Sequence, residues 1–325
     1  MGQSLVVCVI LNTNRREDTL ACLSSLQRQD YPRLRALVLD NACSDGSNAA
    51  IRAGFPQVEL LTLSENRGYA GNNNVGIEAA LERGADWVFV LNEDVILAPD
   101  AISLLLRTAE ADARIGMVGP MVYHHDEPSV IQSAGGSLDS RWRATHAGQN
   151  EDDHGQFAAD RDVDWVSGCA ILVRRSAIAQ VGMLDARFFY YWEETEWCLR
   201  ARRAGWRIVF VPGARIWHKG VTREYRPGPN TTYYWARNRL LLMAKHRAPL
   251  GAWLTATAEL GRTLLAWTVR PRWRTMRGHR AALWQGLIDF ARRRWGMRPQ
   301  PRHVQAPDSG TRPSGVGRPG KEPTV

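Results

Sequence analysis

Cysteine is scarce in this sequence and follows no pattern that would indicate a metal site or a disulfide framework. The 325 residues include five cysteines, an odd number, and no C-x-x-C spacing. Cys8 and Cys169 lie inside apolar, strand-like runs. Secreted domains that depend on disulfides carry many more cysteines for their length. We therefore expect buried free thiols, as in a protein of a reducing cytosol.

Targeting and membrane-spanning patterns are lacking as well. No basic segment precedes the apolar run at residues 5–11, so this run is expected to be a first strand and not a signal peptide. No stretch reaches the ~18 uncharged apolar residues that a membrane span needs. The glycine-rich segment at residues 64–76 does not match G-x-G-x-x-G, so a dinucleotide-binding fingerprint is not supported.

Acidic residues are rare in the C-terminal third of the chain. Between Arg237 and Arg302 there are 15 Lys and Arg residues and two acids, a net charge of +13. Because the whole chain carries +9, the remainder is slightly acidic, at about −4. Any anionic partner is therefore expected to bind the C-terminal third.

Short apolar runs alternate with helix-like segments through the first third of the chain. The runs occupy residues 5–11, 35–40, 58–63 and 86–94. Continuous Val, Leu and Ile runs separated by helices indicate a parallel sheet covered on both faces. Asn14 followed by Glu17 predicts a capping box at the start of the first helix. Strand-like segments at 162–178 and 206–218 predict a mixed continuation of the same sheet.

Polar clusters follow several of these runs. They occupy residues 12–14, 40–47, 64–74 and 92–94. In parallel α/β sheets the ligand crevice lies outside the carboxyl ends of the strands. The clusters therefore predict a ligand site at that edge of the sheet.

Two of the clusters also have interpretations that need no ligand. Asp40 at a strand end can accept a hydrogen bond from a nucleotide base, but the D-G-S sequence after it is also a strong turn and helix-cap signal. The three consecutive asparagines at 72–74 exceed what a helix cap requires, which suggests a polar surface for a ligand. The same segment could be a simple connection into a helix at residues 75–83.

The cluster at residues 92–94 contains two adjacent carboxylates at the end of an apolar run. Burying Glu93 and Asp94 costs several kcal/mol unless they are paired or bound to a metal. A hard divalent cation such as Mg²⁺ or Mn²⁺ would satisfy them and could bridge a diphosphate. If a helix simply begins at Asp100, both acids could instead be solvated.

Further downstream, three acids and one histidine are candidates for chemistry. Glu193, Glu194 and Glu196 lie among aromatic residues, where clustered carboxylates raise one another's pKa and can produce a general base. Acids are also common at helix N-termini, where the helix dipole stabilises them. His218, at the end of a strand, could be a metal ligand or a hydrogen-bonded core histidine.

Taken in order, the segments from Leu5 to Gly220 resemble glycosyltransferase family 2, the inverting transferases with the GT-A fold, and within it the bacterial rhamnosyltransferase-like branch. "LDNACSDGS" resembles the family's strand-end Asp followed by D-G-S. "NRGYAGNNNVG" resembles its N-x-G-x-x-x-G-N-N-x-G stretch, with Asn72 in place of Gly, and "VPGARIWHKG" resembles V-P-x-A-x-x-x-H-x-G. The resemblance implies a GT-A type nucleotide-diphospho-sugar transferase fold, a mostly parallel central sheet flanked by helices, here with a C-terminal helical extension.

The resemblance also implies residue roles. "LNED" takes the place of the D-x-D motif, which leaves Asp94 as the principal carboxylate for Mg²⁺ or Mn²⁺, with His218 able to join it. "YYWEETE" takes the place of Y-x-E-D-x-D, so the catalytic base is Glu194 or Glu193. Nucleotide-sugar binding is expected at Asn12, Asn14, Asp40, Asn41, Asp45, Asn66, Gly68, Gly71, Asn73, Asn74 and Asn92. Acceptor-side positions are expected at Trp165, Gly168 and Glu196.

The activity implied is transfer of one sugar to a hydroxyl of a surface-polysaccharide or lipid-linked saccharide acceptor. The donor would be a dTDP- or UDP-sugar, and the branch favours dTDP-rhamnose. The Q-x-x-R-W signature and multi-span regions of processive synthases do not occur, which favours single-sugar transfer. The altered D-x-D and E-D motifs leave a second hypothesis open, a catalytically inactive protein that binds nucleotide sugars or carbohydrate on the same fold.

We expect a catalytic domain at residues 1–230, a basic helical extension at 231–297 and a disordered tail at 298–325. The extension places two apolar sets at helical spacing: Leu250, Trp253, Leu254, Gly261, Leu264 and Leu265, then Trp284, Leu287, Ile288, Ala291 and Trp295. Arg-rich amphipathic helices with Trp are typical of anionic membrane surfaces, although such helices could also pack on the catalytic domain. A cytoplasmic, peripheral location at the inner face of the plasma membrane follows. Nucleic-acid binding is not expected, because no recognition motif accompanies the basic segment.

Overall fold

The central element is a mixed β-sheet with helices on both faces. The computed structural model describes residues 3–299. The strands are β1 (Val6–Asn12), β2 (Leu34–Asp40), β3 (Glu59–Thr62), β4 (Trp87–Asn92), β5 (Val95–Leu97), β6 (Ile115–His124), β7 (Ile131–Ser133), β8 (Gly136–Leu138), β9 (Ala144–His146), β10 (Arg161–Asp162), β11 (Ala170–Arg174) and β12 (Arg207–His218). The helices are α1 (Arg16–Gln27), α2 (Ser47–Gly54), α3 (Gly68–Glu82), α4 (Ala101–Ala111), α5 (Arg175–Val181), α6 (Glu193–Arg203), α7 (Pro229–Lys245), α8 (Leu250–Val269) and α9 (Arg277–Ala291), with a 3-10 turn at Pro271–Met276.

The strand order across the main sheet is β10-β12-β6-β11-β4-β1-β2-β3. β1 is parallel to both β2 and β4, and β2 is parallel to β3. β11 enters between β4 and β6 in the antiparallel sense, and β12 is parallel to β6. The predicted mixed continuation of a parallel sheet is confirmed. Buried apolar side chains form a separate core on each face, which is why the strands are apolar along their whole length.

The strand register brings the polar strand ends to one edge. Asn12 pairs with Asp40, and Asp40 with Thr62. Asn92 pairs with Leu11, one position from Asn12. The short strand β5 turns back along β12, so that the end of β12 lies beside the β4–β5 turn. The carboxyl ends of the parallel strands therefore meet at one place, as the sequence predicts.

Three local expectations are wrong. Asn14 and Glu17 do not form a capping box: α1 has Arg15 at its N-cap and no capping bond from that side chain. Asn14 has a φ of 64°, which turns its side chain towards the neighbouring loop. The glycine- and asparagine-rich segment is the first half of helix α3, which begins at Gly68 and not near residue 75. The segment 162–178 contains strand β11 and then helix α5.

Helix α3 forms despite its poor helix formers because it packs very closely on the sheet. A Cβ on Gly76 would lie 2.3 Å from Val9 Cγ1 and 2.9 Å from Leu39 Cδ1. Only a residue without a side chain lets the helix approach β1 and β2 to this distance. Tertiary packing therefore outweighs the low helix propensity of Gly and Asn.

The C-terminal helices pack on the catalytic part of the chain and on one another. Residues of α7 and α8 form a third apolar cluster with Trp142 and Phe188. Trp253, Leu287 and Trp295 are partly buried against it, so part of each predicted apolar face is used for packing. Within residues 3–299, no helix combines the length and the apolarity that crossing a membrane would require.

Two further expectations concern the cysteines and the tail. All five cysteines are free thiols, and all but the half-buried Cys43 are buried. Most of the segment expected to be disordered, 298–325, lies outside the described residues. Its first residue, Arg298, donates hydrogen bonds to Gln285 and Asn230.

Candidate active site

A cleft of about 380 Å³ opens at the carboxyl ends of the parallel strands. We call it the strand-end cleft. Its lining residues include Thr13, Arg15, Asn41, Asn66, Gly68, Tyr69, Asn72, Asn92, Glu93, Asp94, Phe189, Tyr190, His218 and Gly220. Six of these were expected from the sequence to bind the nucleotide sugar or a metal, namely Asn41, Asn66, Gly68, Asn92, Asp94 and His218.

Larger surface depressions, of about 920 and 510 Å³, lie elsewhere on the protein. The larger one is lined by arginines that are already paired with aspartates, such as Arg207 with Asp112 and Asp162. Size alone therefore does not locate the site, and the strand-end cleft is where carboxylates, a histidine and amides converge.

Asp94 and His218 meet at the wall of the strand-end cleft. Asp94 lies in the turn between β4 and β5, and His218 ends β12, whose pairing with β5 brings the two together. Asp94 Oδ1 lies 3.1 Å from His218 Nε2. This oxygen is buried and has no hydrogen bond of acceptable geometry within residues 3–299. The other ring nitrogen, Nδ1, lies 3.0 Å from Gln132 Oε1 and donates to it, so Nε2 is the nitrogen that faces Asp94 and that carries the lone pair when the ring is neutral.

The charge on Asp94 is stabilised by its neighbours. Burial acts to raise the pKa of Asp94, but the close approach of His218 and the charge of Arg15 outweigh it, and the net pKa is lowered. Arg15 Nη1 donates to Asp94 Oδ2 at 2.7 Å. Arg15 is a residue that sequence reasoning missed, because its contact joins positions 79 residues apart.

Glu93 has a different role from Asp94. Its carboxylate accepts hydrogen bonds from the backbone N–H and the hydroxyl of Thr13, at 2.6 and 2.5 Å. Burial raises the pKa of Glu93 to about 7. Glu93 thus joins the end of β4 to the end of β1 and is not solvated, contrary to one reading of the sequence.

The donor set at Asp94 and His218 fits a divalent cation. An unpartnered carboxylate oxygen and an imidazole lone pair face each other, and the outer ring nitrogen is fixed by Gln132, as is usual for a metal-binding histidine. Within residues 3–299, no three His, Cys, Asp or Glu side chains are grouped as a larger metal site. Mg²⁺ commonly keeps waters and binds through one or two carboxylates together with substrate phosphates. Two protein ligands are therefore sufficient for such an ion.

The loop after β2 holds most of the expected base-binding residues, but most of them are used inside the loop. Asp40 accepts from the Cys43 N–H at 2.8 Å and from Asn48 Nδ2 at 2.7 Å. Asp45 accepts from the Arg16 N–H at 2.8 Å, which satisfies the first turn of α1. Asn41 lines the cleft, whereas Asp40 and Asp45 are not among its lining residues.

Two asparagines at the end of β1 also support this loop. Asn12 is fully buried, and its Nδ2 donates to Ser47 Oγ at 2.8 Å. Asn14 Oδ1 accepts from the Ser44 N–H at 2.7 Å. Both lie outside the cleft lining, so the structure gives them partners in the protein that the sequence did not suggest.

The start of α3 contributes a second wall. Asn66 Oδ1 accepts from the Gly68 N–H at 2.9 Å, and both residues line the cleft. Gly68 has a φ of +73°, and a Cβ there would lie 2.4 Å from the Phe189 carbonyl oxygen. Glycine is therefore required at position 68, both because its backbone has a positive φ and because the Phe189 backbone lies too close to leave room for a side chain.

Gly71, Asn73 and Asn74, in contrast to Asn72, do not line the cleft. Gly71 packs on the Arg67 side chain within the helix. Asn73 Nδ2 donates to the Tyr69 carbonyl at 2.9 Å. Asn74 bonds both the N–H and the carbonyl of Leu184, at 3.0 and 2.8 Å. Asn74 thus joins α3 to the chain before α6, whereas Asn73 bonds within the helix and Asn72 accepts from the Arg67 N–H at its start.

Glu193 and Glu194 form a carboxylate pair at the N-terminus of α6. Glu193 is 4% exposed, and its Oε2 is buried with no hydrogen bond within the described residues. Glu194 is half-buried. Burial and the charge of Glu194 raise the pKa of Glu193, and burial raises the pKa of Glu194. A pair of this kind in an apolar setting can hold and release a proton near neutral pH.

Gly168 places this pair next to the strand-end cleft. A Cβ on Gly168 would lie 3.4 Å from Glu194 Cγ, so the two backbones are close. The Gly168 carbonyl accepts from the Tyr69 hydroxyl at 2.5 Å, and Tyr69 lines the cleft. Tyr69, Phe189 and Tyr190 are lining residues that the sequence did not identify, because aromatic residues next to acids are equally common in a core.

Two of the expected acceptor-side residues are buried structural groups. Trp165 packs edge-on against His146, with ring centroids 4.6 Å apart. Glu196 is fully buried and bonds Arg200, Lys245 and His246 at 2.9, 2.9 and 3.1 Å. The expectation that Glu196 faces an acceptor is wrong, because its carboxylate is enclosed by these three partners. Burial acts to raise the pKa of Glu196, but hydrogen bonds from His246 and Arg200 outweigh it and lower the pKa to about 2.

An α/β sheet with a strand-end cleft, a carboxylate–histidine pair and a nearby buried carboxylate pair defines a nucleotide-sugar transferase of the GT-A type. The family model described as "Glycosyltransferase like family 2" matches residues 3–240, and the chain belongs to this family. The protein is thus a glycosyltransferase of the rhamnosyltransferase-like kind, and the expected family and fold are confirmed.

Named relatives agree with this assignment. The chain is 30% identical over 256 residues to N-acetylglucosaminyl-diphospho-decaprenol L-rhamnosyltransferase of Mycobacterium tuberculosis, an alignment that covers 70% of this chain and 82% of the relative. It is 24% identical to the dTDP-rhamnosyl transferase RfbF of Shigella flexneri, over 77% of this chain and 83% of the relative. Among solved structures, the mannosyltransferase PcManGT of Pyrobaculum calidifontis, in complex with GDP-Man and Mn²⁺, has a TM-score of 0.55 and 17% identity, over 89% of this chain and 88% of the other.

Proposed function

We propose that the protein transfers a single sugar, L-rhamnose, from a dTDP- or UDP-linked donor to a hydroxyl of a lipid-linked or polysaccharide acceptor, with inversion at the anomeric carbon. The observation that carries the proposal is the convergence of Asp94 Oδ1 and His218 Nε2, 3.1 Å apart, in the wall of the strand-end cleft. The names of the mycobacterial and Shigella relatives support the sugar and the acceptor class.

Asp94 and His218 would hold Mg²⁺ or Mn²⁺ in this proposal. A divalent cation there supplies positive charge that stabilises the negative charge developing on the leaving diphosphate. Asn41, Asn66 and Gly68 line the same cleft and would contact the nucleotide sugar. Asp40 is the last residue of β2, next to Asn41 in the chain, and would contact the base, whereas Asn12, Asn14 and Asp45 would act by shaping the loop.

Glu194 is the base in this proposal, and Glu193 is its neutral neighbour. The more deeply buried Glu193 is the member of the pair whose pKa is also raised by the charge of its partner, so it holds the proton. The half-buried Glu194 can then reach an acceptor hydroxyl and take its proton. As the acceptor oxygen forms its bond to the anomeric carbon, the bond to the diphosphate breaks and the electron pair leaves with the nucleotide.

The test is nucleotide release from dTDP-, UDP- and GDP-sugars, with and without Mn²⁺, in the presence of a lipid-linked saccharide acceptor. We expect metal-dependent release with one donor. Asp94→Ala should abolish release and weaken metal-dependent nucleotide binding. Glu194→Gln should leave nucleotide binding intact and stop transfer, while Glu193→Gln, which mimics a protonated Glu193, should retain measurable transfer. Full transfer by Glu194→Gln would refute the assigned base.

We further propose that α8 rests on an anionic membrane surface, where a lipid-linked acceptor would be presented. Leu250, Leu254, Leu265 and Val269 lie within one stripe of the helix and are between 61% and 73% exposed. Arg262 on α8 is exposed, and so are Arg270, Arg272, Arg274 and Arg277 in the chain that follows the helix. The acid of α8, Glu259, faces the protein and bonds Arg143 and Arg239. Apolar residues flanked by unopposed positive charge fit an anionic bilayer at the inner face of the plasma membrane.

Sedimentation with vesicles tests this surface. The wild type should bind vesicles that contain an anionic lipid and bind less in high salt, because the arginines are screened. Leu254→Ser with Leu265→Ser should reduce binding, whereas Ala281→Ser, an exposed change on α9, should not. Binding that is insensitive to salt, to anionic lipid and to the double substitution would contradict the proposal.

A further inference from the structure

The segment that joins the strand-end cleft to the carboxylate pair has an unfavourable backbone conformation. Phe189, Tyr191 and Trp192 have φ values of 65°, 66° and 75°, although none is a glycine. Left-handed backbone at a non-glycine residue costs on the order of 1 kcal/mol or more and persists only where the surroundings enforce it. Something outside residues 187–192 must therefore hold this segment in place.

Two buried side chains of α7 provide that restraint. Asn238 Nδ2 lies 2.8, 2.9 and 2.9 Å from the carbonyl oxygens of Phe188, Tyr190 and Tyr191. Arg237 Nη2 donates to the carbonyls of Arg187 and Phe188, at 3.2 and 2.9 Å. We call these two residues the α7 clamp. Each bond goes to the backbone of the segment, so the contacts specify its conformation and not its side chains.

The α7 clamp is itself held in a single arrangement. Arg237 Nε donates to Asn238 Oδ1 at 2.9 Å, and Arg237 Nη1 donates to the Gly296 carbonyl at 2.7 Å and the Tyr233 hydroxyl at 3.2 Å. Tyr233 in turn donates to Asp289 of α9 at 2.9 Å. These bonds fix the guanidinium and the amide relative to α9 and to the chain that follows it.

The burial of Arg237 is costly for stability alone. Its side chain is 0% exposed, and no carboxylate lies within ion-pair distance of it in the part of the chain that the structure describes. A buried charge without a paired carboxylate is expensive, and well-packed apolar residues are commonly as stable or more so. A guanidinium at this place is better explained by its five fixed donors, which can bind several carbonyls at once.

The restrained segment carries both parts of the proposed site. Phe189 and Tyr190 line the strand-end cleft, and the Phe189 carbonyl closes on Gly68. Glu193 and Glu194 follow directly at the N-terminus of α6. We propose that Arg237 and Asn238 are positioning residues for sugar transfer, which set the place of the base by holding residues 187–192. This inference rests on the proposed function of Glu194.

The experiment compares Asn238→Ala and Arg237→Lys with Leu242→Ala. Leu242 lies one turn further along α7 and is fully buried in the third apolar cluster, so its truncation removes apolar packing and destabilises the helix, but it leaves every hydrogen bond from α7 to the backbone of residues 187–192 in place. Hydrogen exchange of the 187–192 amides and kcat are measured for each protein below its unfolding temperature. We expect faster exchange in 187–192 for both clamp variants, and a fall in kcat of about 10²-fold, the effect of a displacement near 1 Å.

The result for Leu242→Ala should be a lower unfolding temperature with exchange in 187–192 and kcat close to wild type. If the clamp variants behave like Leu242→Ala, the inference is overturned and the two residues only stabilise α7. If Asn238→Ala does not fold, Arg237→Lys, which keeps the charge and loses the planar fork, decides. A wild-type protein inactive with every donor would refute the proposed function instead, and the exchange data would still show whether the clamp holds the segment.

Discussion

Gly220 offers a direct test of the proposed metal site, because any side chain at this position would enter the space between its two ligands. A Cβ on Gly220 would lie 2.4 Å from Asp94 Oδ2 and 3.1 Å from His218 Nε2. An ordinary contact needs about 3.5 Å, so Gly220→Ala must move the carboxylate by about 1 Å. A displacement of this size costs about 10²-fold in turnover, or roughly 2.7 kcal/mol. The φ of Gly220 is not in the left-handed range, so alanine adds no backbone strain.

The assay is a Mn²⁺ titration in the presence of nucleotide. It is followed by measurement of kcat/KM with the donor that the nucleotide-release test selects. Gly213→Ala is the matched control, because it lies on β12, which ends two residues before Gly220, and its Cβ would meet only Leu104 Cδ1, at an ordinary 3.6 Å. We expect Gly220→Ala to lose metal affinity and about 10²-fold in kcat/KM, with an unfolding temperature close to that of the control. Equal Mn²⁺ affinity and equal kcat/KM for the two variants would refute the assignment of Asp94 and His218 as metal ligands.

Three further substitutions probe the surroundings of the site. Glu196→Gln should lower the free energy of unfolding by about 3 kcal/mol at pH 7. Because the pKa of Glu196 is lowered to about 2 in the folded state, the difference from wild type should shrink as the pH falls below about 4.5, which urea unfolding at pH 7, 5 and 3 would measure. Asn74→Ala should cost about 2 kcal/mol of stability in the same assay, since it leaves the buried N–H and carbonyl of Leu184 unpaired, while nucleotide affinity stays unchanged. Arg15→Ala removes the cation 2.7 Å from Asp94 and should tighten Mn²⁺ binding in the absence of nucleotide, measured by electron paramagnetic resonance; weaker Mn²⁺ binding would instead make Arg15 part of the ion's support.

The sequence predicted which polar strand ends would meet better than it predicted the contacts that these residues make. Polar residues after apolar runs correctly indicated that Asp94, Asn92 and Asn41 would meet at one edge, because strand ends in parallel sheets are adjacent. The contacts of Asp40, Asp45 and the α3 asparagines were not predictable, since each depends on which backbone groups the fold leaves unpaired nearby. The pairing of Arg15 with Asp94 depends on long-range geometry in the same way, and no local pattern encodes it.

The start of α3 is a second feature that local sequence patterns do not predict. Gly and Asn favour turns and loops locally, so a helix beginning at Gly68 runs against propensity. The helix forms because Gly76 allows it to lie directly on β1 and β2. From the sequence alone, Gly76 is expected to weaken a helix. In the folded protein, its lack of a side chain allows α3 to pack closely on β1 and β2.

The position of α7 has a practical consequence for chimeric transferases. The family match ends at residue 240, so α8 and α9 lie outside it and are the natural part to exchange between transferases. Asp289 and Gly296, however, supply acceptors for Tyr233 and Arg237 on the retained side of such a junction. A graft that replaces everything after Lys245 would have to supply a carboxylate for Tyr233 and a carbonyl for Arg237. A graft that exchanges α8 alone would keep both native acceptors.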